Sequence, residues 1–134
     1  MRVFRMPIRV YYEDTDAGGI VYHANYLKFM ERARCEWLQE LGFDIAELQH
    51  ASNTLFVVKE ANLNYNAPAR LFDQLQVQTE VVSVGKVKLQ LAQNVLNKDE
   101  LLCQGLIKLA ALDARTFKMA AMPQDLIKAC RDCL

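Results

Sequence analysis

The sequence predicts an α+β sandwich in which one long amphipathic helix lies across a single antiparallel sheet. Three observations predict it. The stretch Asn25 to Leu41 carries apolar residues at helical spacing. Five other stretches have strand character, most of them alternating apolar and polar residues, the pattern of strands with one wet face. Each kind of element therefore has one apolar face, and the two faces bury each other.

The first strand is expected over Val3 to Tyr12, with Pro7 marking an edge position or a bulge. A turn-rich run, Glu13 to Gly19, follows. In the helix, Tyr26, Phe29, Met30, Ala33, Trp37 and Leu41 form the apolar stripe, Asn25 is the expected N-cap, and Gly42 the C-terminal stop. At 1.5 Å per residue the helix spans roughly 25 Å, enough to cross a whole sheet. Asp44 to His50 adds a short helical turn. Strands follow over Thr54 to Tyr65, Asp73 to Val84, Lys86 to Leu96 and Leu101 to Asp113. In the first of these, Leu55, Val57, Ala61, Leu63 and Tyr65 are read as one face. In the third, Val87, Leu89, Leu91 and Val95 are read as inward. Turns at Val84-Gly85-Lys86 and Asn97-Lys98-Asp99 join hairpins, and Pro123 opens a final helix, Gln124 to Cys133. The order is β-α-β-β-β-β.

The 134 residues fit one domain, 1–134, with no linker, repeat or low-complexity segment. Sixteen basic and sixteen acidic side chains cancel. That balance gives no electrostatic footprint for nucleic acid or an anionic membrane, while leaving room for a local basic patch. No stretch approaches the roughly 20 apolar residues of a membrane span. The N-terminus lacks the apolar run of a signal peptide, so a cytoplasmic location is expected. Of the four cysteines, only Cys130-x-x-Cys133 suggests a metal or redox pair. No second pair and no nearby His completes a zinc set, so they read as incidental thiols and no metal is expected.

The chemistry lies in Tyr12 to Tyr26, where acids, glycines and a histidine crowd the approach to a helix N-terminus. Free backbone N–H groups there can hold a developing oxyanion, and a carboxylate just upstream could attack or activate water beside them. The same residues also fit an ordinary polar turn with capping acids. Chemistry alone leaves both open.

The spacing Tyr12-x-Asp14-Thr15-Asp16-x-x-Gly19-x-Val21-x-His23-x-x-Tyr26, followed by Glu31-x-x-Arg34, resembles the signature of 4-hydroxybenzoyl-CoA-type thioesterases. It is most similar to the YbgC-type acyl-CoA thioesterases associated with the Tol-Pal system. A second similar stretch is Tyr65-x-x-Pro68-Ala69-x-x-x-Asp73-x-Leu75-x-Val77. The resemblance covers nearly the whole chain. It implies a hotdog fold, a curved antiparallel sheet wrapped around the long helix. It also implies a homodimer or dimer-of-dimers tetramer with active sites at the dimer interface.

By the same resemblance Asp16 is the catalytic carboxylate, acting as nucleophile or as general base. His23 supplies a carbonyl-polarising backbone N–H, and its imidazole can orient Asp16 or protonate the leaving thiolate. Gly19 permits close approach of the thioester; Val21 and Tyr26 adjoin the substrate. Asp14 is expected in a loop-capping or dimer-contact role, and Glu31 paired with Arg34. Coenzyme A, part of the substrate and not a cofactor, needs cations for its phosphates. Lys86, Lys88 and Lys118 are the candidates, with Arg70 and Arg115 behind them. The expected activity is hydrolysis of an acyl-CoA. The alternatives are an acyl-carrier-protein thioesterase or an adaptor binding acyl carrier protein, linked to phospholipid synthesis or the cell envelope. A dehydratase is a third, for which no His–acid motif beyond His23 is present.

Overall fold

The structure is a computed structural model that describes residues 2–134. Its elements are β1 (Val3–Arg9), α1 (Asn25–Glu40), α2 (Ile45–Ser52), β2 (Thr54–Tyr65), β3 (Gln74–Val84), β4 (Lys88–Asn97), β5 (Glu100–Asp113) and α3 (Gln124–Arg131). The strands form one antiparallel sheet in the order β1-β3-β4-β5-β2. This is the α+β hotdog arrangement that the resemblance implies. Pro7 sits on the edge strand β1, where its missing N–H costs the ladder least.

Helix α1 buries Tyr26, Phe29, Met30, Ala33, Trp37 and Leu38. Burying each of the larger of these contributes roughly 1.5–3 kcal/mol. The helix ends as expected at Gly42, whose φ of 94° only glycine adopts freely. The Phe43 N–H reaches Leu38 O at 2.9 Å and the Gly42 N–H reaches Gln39 O at 3.0 Å, a paired closure of the last carbonyls. Gly105 on β5 makes room for the helix. A Cβ there would lie 2.9 Å from Met30 Cε and 3.0 Å from Gln93 O.

Three local expectations are corrected. First, β2 carries a bulge between Val58 and Glu60. Before the bulge Phe56 and Val58 pair with the inward Ala111 and Leu109, so Leu55 and Val57 face outward. An extra residue in one strand reverses its facing, which strict alternation cannot show. Second, the inward row of β4 includes Gln93, fully buried. It is tolerated because its amide donates to Met30 O and Thr79 Oγ1, both at 2.9 Å, and accepts from Arg34 Nη1 at 2.9 Å. Third, Arg34 therefore bonds Gln93 and makes no ion pair with Glu31 among the described residues.

Strand reversal gives the sheet two distinct ends. Arg9, Gln74, Asn97, Glu100 and Tyr65 lie at one; Val84, Lys88, Asp113 and Thr54 lie at the other. Helix α1 packs on β1, β3 and β4, and α2 on β2. The inner face of β2 toward Tyr65 is left partly open, with Val58 and Tyr65 each 49% exposed.

Candidate active site

The chain leaves β1 at Arg9 and reaches the start of α1 through a folded loop at the Tyr65 end of the sheet. Asp14 holds that loop together. Its Oδ2 accepts the Tyr11 N–H at 2.9 Å, and its backbone oxygen accepts the Tyr22 N–H at 3.0 Å and Asn25 Nδ2 at 2.9 Å. This is the loop-capping role expected of it. Asn25 is not the N-cap. It is the first helical residue, its side chain is spent on Asp14 O, and the cap position is Ala24.

Thr15 bridges Val21, and Ile20 bridges Arg70. Between these bridges Asp16 opens a tight turn. The Gly19 N–H donates to Asp16 O at 3.0 Å, and the Gly18 N–H donates to Asp16 Oδ1 at 2.8 Å. Gly19 takes φ 79°, a conformation strained for other residues. Asp16 is exposed, and its second carboxylate oxygen has no hydrogen-bond partner among the described residues. One oxygen is thus fixed and the other is free to react.

The N-terminus of α1 is unusual within this chain. Ala24 makes no side-chain capping bond, and the first turn holds no acid. By contrast α2 is capped by Asp44 with Glu47 in its first turn, and α3 has Asp125 there. The His23 N–H finds no acceptor among the described residues. The positive end of a 16-residue helix is therefore unneutralised beside the Asp16 loop. The exposed His23 ring lies 4.6 Å from the Tyr22 ring centroid and 6.2 Å, edge-on, from that of Tyr65. Tyr65 Oη donates to His23 O at 2.9 Å, pinning this residue from the end of β2. Burial holds the Tyr65 phenol above its ordinary pKa, so it remains a donor. Its place in the second family-like stretch was the only signal in the sequence for that contact.

The other expected site residues divide. Val21 and Tyr26 are 4% and 3% exposed and belong to the core. The Val21 N–H bonds Ala69 O at 2.9 Å, and Tyr26 Oη accepts the Ala69 N–H at 3.2 Å. They brace the loop from beneath. Burial raises the Tyr26 pKa, with the Ala69 N–H opposing. Lys86, Lys88 and Lys118 are exposed, but at the opposite end of the sheet. The strands between run for about 30 Å at 3.3 Å per residue, so within one chain these lysines and Asp16 cannot grip one headgroup. Sequence spacing does not reveal this, because alternate strands reverse.

The model of the Thioesterase-like superfamily matches residues 10–130. The acyl-CoA thioester hydrolase YbgC of Escherichia coli O6:H1 is 42% identical over 126 residues, covering 93% of each chain. This chain belongs to the YbgC-type hotdog thioesterases. The acyl-CoA thioesterase YbgC of Haemophilus influenzae is also 42% identical, over 91% of this chain and 90% of its own. Among solved structures, a DHNA-CoA thioesterase from Staphylococcus aureus matches with a TM-score of 0.92 at 26% identity, over 98% of this chain and 91% of that one. A gentisyl-coenzyme A thioesterase matches with a TM-score of 0.85 at 27% identity, over 96% and 99%. As a thioesterase of this family, the chain carries its unpartnered carboxylate and uncapped helix end in the segment that holds the family's signature.

Proposed function

We propose that this chain hydrolyses acyl-CoA thioesters to a free acid and coenzyme A, with Asp16 as the reacting carboxylate. The observation that carries the reading is the pairing of a half-free Asp16 carboxylate with the one α-helix N-terminus, among the described residues, that lacks both a capping side chain and a first-turn acid. The thioester oxygen lies against the His23 N–H, where the helix end stabilises the charge of the tetrahedral intermediate. Asp16 attacks the carbonyl carbon, the C–S bond breaks, and water cleaves the acyl-carboxylate anhydride; or Asp16 takes the proton of a water that attacks instead. Either way the thiolate leaves and is protonated, a step within the capacity of the His23 imidazole. No cofactor or metal enters the scheme; coenzyme A is the substrate's own handle.

The lysines fit a homodimer. β2 is an unpaired edge with apolar inner residues, the kind of edge that recruits another strand. Antiparallel pairing of two β2 strands sets the Thr54 end of one chain beside the Tyr65 end of the other. It thereby brings the partner's lysine-bearing end toward Asp16, and a dimer of dimers extends the same assembly. Cytoplasmic residence and a place beside the Tol-Pal system belong to the same proposal.

The test is steady-state hydrolysis of short, long and aromatic acyl-CoA esters by the wild type and Asp16→Asn. The asparagine oxygen can still accept the Gly18 N–H, so the loop survives while the charge is lost. The expected loss in kcat is about 10²–10⁴-fold. Near-normal turnover by the variant would refute the role of Asp16. No turnover of any CoA ester by the wild type would move the reading to an acyl-carrier-protein substrate or an adaptor.

A further inference from the structure

Helix α1 has no backbone break where it begins. Its cap residue, Ala24, sits at φ −70° and ψ −20°, already a helical conformation. The cap of α2, Asp44, is extended at φ −98° and ψ 131°, as caps usually are. If α1 grew by one residue, the His23 carbonyl would accept the Leu27 N–H four positions on. That bond is not made. The Leu27 N–H donates to Ala24 O at 3.2 Å, a tighter three-residue step. His23 O is taken from outside the helix, by Tyr65 Oη at 2.9 Å. The Tyr65 ring is fixed on two sides. Its backbone ends β2, paired with Cys103 of β5, and the next two N–H groups, of Asn66 and Ala67, both donate to Leu102 O, at 2.8 and 3.2 Å. On the helix side the ring packs against Tyr26 in the first turn of α1, with centroids 5.6 Å apart and an interplanar angle of 71°.

We infer that Tyr65 is a positioning residue for the reaction, an inference that rests on the thioesterase reading above: by drawing His23 O out of the helix ladder, it stops α1 at Ala24 and holds the His23 N–H aimed at the thioester oxygen. Without the phenol, His23 O and the Leu27 N–H can complete an ordinary α-helical bond. Reaching it takes a rotation about the His23 Cα–C bond, and that rotation changes the angle between the His23 N–H and the helix axis. A donor to an oxyanion works only when it points at the place where charge develops. The cost of misaiming it therefore falls on turnover, while ground-state binding of the neutral thioester is spared. The phenol suits this task, since burial raises its pKa and keeps it a donor at neutral pH. The same ring also stands edge-on to the His23 imidazole, with centroids 6.2 Å apart, so main-chain and side-chain effects need separating.

The experiment measures kcat and KM, on an acyl-CoA ester that the wild type hydrolyses, for Tyr65→Phe and Tyr65→4-aminophenylalanine, each alone and in a His23→Ala background. Phenylalanine keeps the ring and removes the donor; the aniline N–H of the second variant restores it. Melting temperature and oligomeric state verify that the variants fold and assemble as the wild type does. Tyr65→Phe is expected to lower kcat about 3- to 10-fold, the factor that one net hydrogen bond carries, with KM changed by less than about twofold. The amino variant should recover most of that loss, and the same loss should appear in the His23→Ala background, because it acts through the main chain. An unchanged kcat in Tyr65→Phe overturns the inference. So does an equal loss in both variants, which assigns the effect to packing, or a loss that vanishes with the imidazole. Each of these leaves the thioesterase reading in place. A wild type that turns over no CoA ester overturns both.

Discussion

Replacing Gln93 with leucine tests the polar knot at the centre of the sandwich. The amide is fully buried and uses both donors, on Met30 O and Thr79 Oγ1, and its oxygen, on Arg34. Arginine can only donate, so Arg34 fixes which way the amide points. Leucine of similar size loses two neutral hydrogen bonds at about 1 kcal/mol each and one to a charged group at about 1.5–3 kcal/mol. Its added apolar burial returns about 1–2 kcal/mol. The expected net destabilisation is about 2–3 kcal/mol, a fall in melting temperature of about 6–12 °C for a chain of this size. Urea unfolding followed by the fluorescence of Trp37, itself in the core, reads it directly. A double-mutant cycle with Arg34→Met should show a coupling of about 1–2 kcal/mol. A shift below about 0.5 kcal/mol with no coupling would refute the reasoning, since relaxation or water would then be replacing the bonds.

Gly19→Ala places a side chain at φ 79° and should destabilise the chain by about 1 kcal/mol while lowering turnover, as the Asp16 turn shifts; calorimetry and acyl-CoA hydrolysis read the two effects. His23→Ala keeps the backbone N–H and should reduce kcat less than Asp16→Asn does; an equal or larger loss would assign the central role to the imidazole. Native protein at pH 8 should expose one accessible thiol, Cys35, although partial burial lifts its pKa above the ordinary value and slows it. Cys103 and Cys130 are buried, their thiols pushed up to about 11 and about 12 by desolvation. Titration with an aromatic disulfide before and after denaturation counts them. Asp113, whose carboxylate accepts the Arg115 and Thr116 N–H groups, lies below its ordinary pKa of 3.8. Its folded-state pKa is depressed, so its stabilisation is complete above the unfolded value and lost as pH falls through the folded one. Asp113→Asn should therefore flatten the acid limb of a stability–pH curve below about pH 4.

The long helix and the later strands were legible because their apolar residues repeat at 3.6 and 2, and α1 and β2 fall within a residue of expectation. What escaped is what those periods do not encode. The bulge at Val58/Glu60 reverses the facing of half of β2. Gln93 breaks the apolar row of β4 and is explained only by Thr79 on β3 and Met30 and Arg34 on α1, partners distant in sequence. The loop acids were visible as a motif, yet only the fold separates them: Asp14 turns inward to tie the loop, and Asp16 turns outward with an oxygen to spare. The lysines illustrate the reverse failing. Lys86 and Lys88 read as neighbours on one outward strand face, and the chain's reversals carry that end of the sheet away from the loop.

The bare start of α1 also bears on how this protein can be improved. A capping side chain typically adds about 1 kcal/mol to a helix, and α2 has one where α1 does not. A library selected for thermal resistance would therefore find gains at residues 23 to 28, by acids that neutralise the helix end. Those winners should be the slow enzymes, because the same few N–H groups cannot both be satisfied at rest and wait for an oxyanion. Screening for turnover and for melting temperature should pull this segment in opposite directions, while positions on the far face of the sheet respond to stability alone.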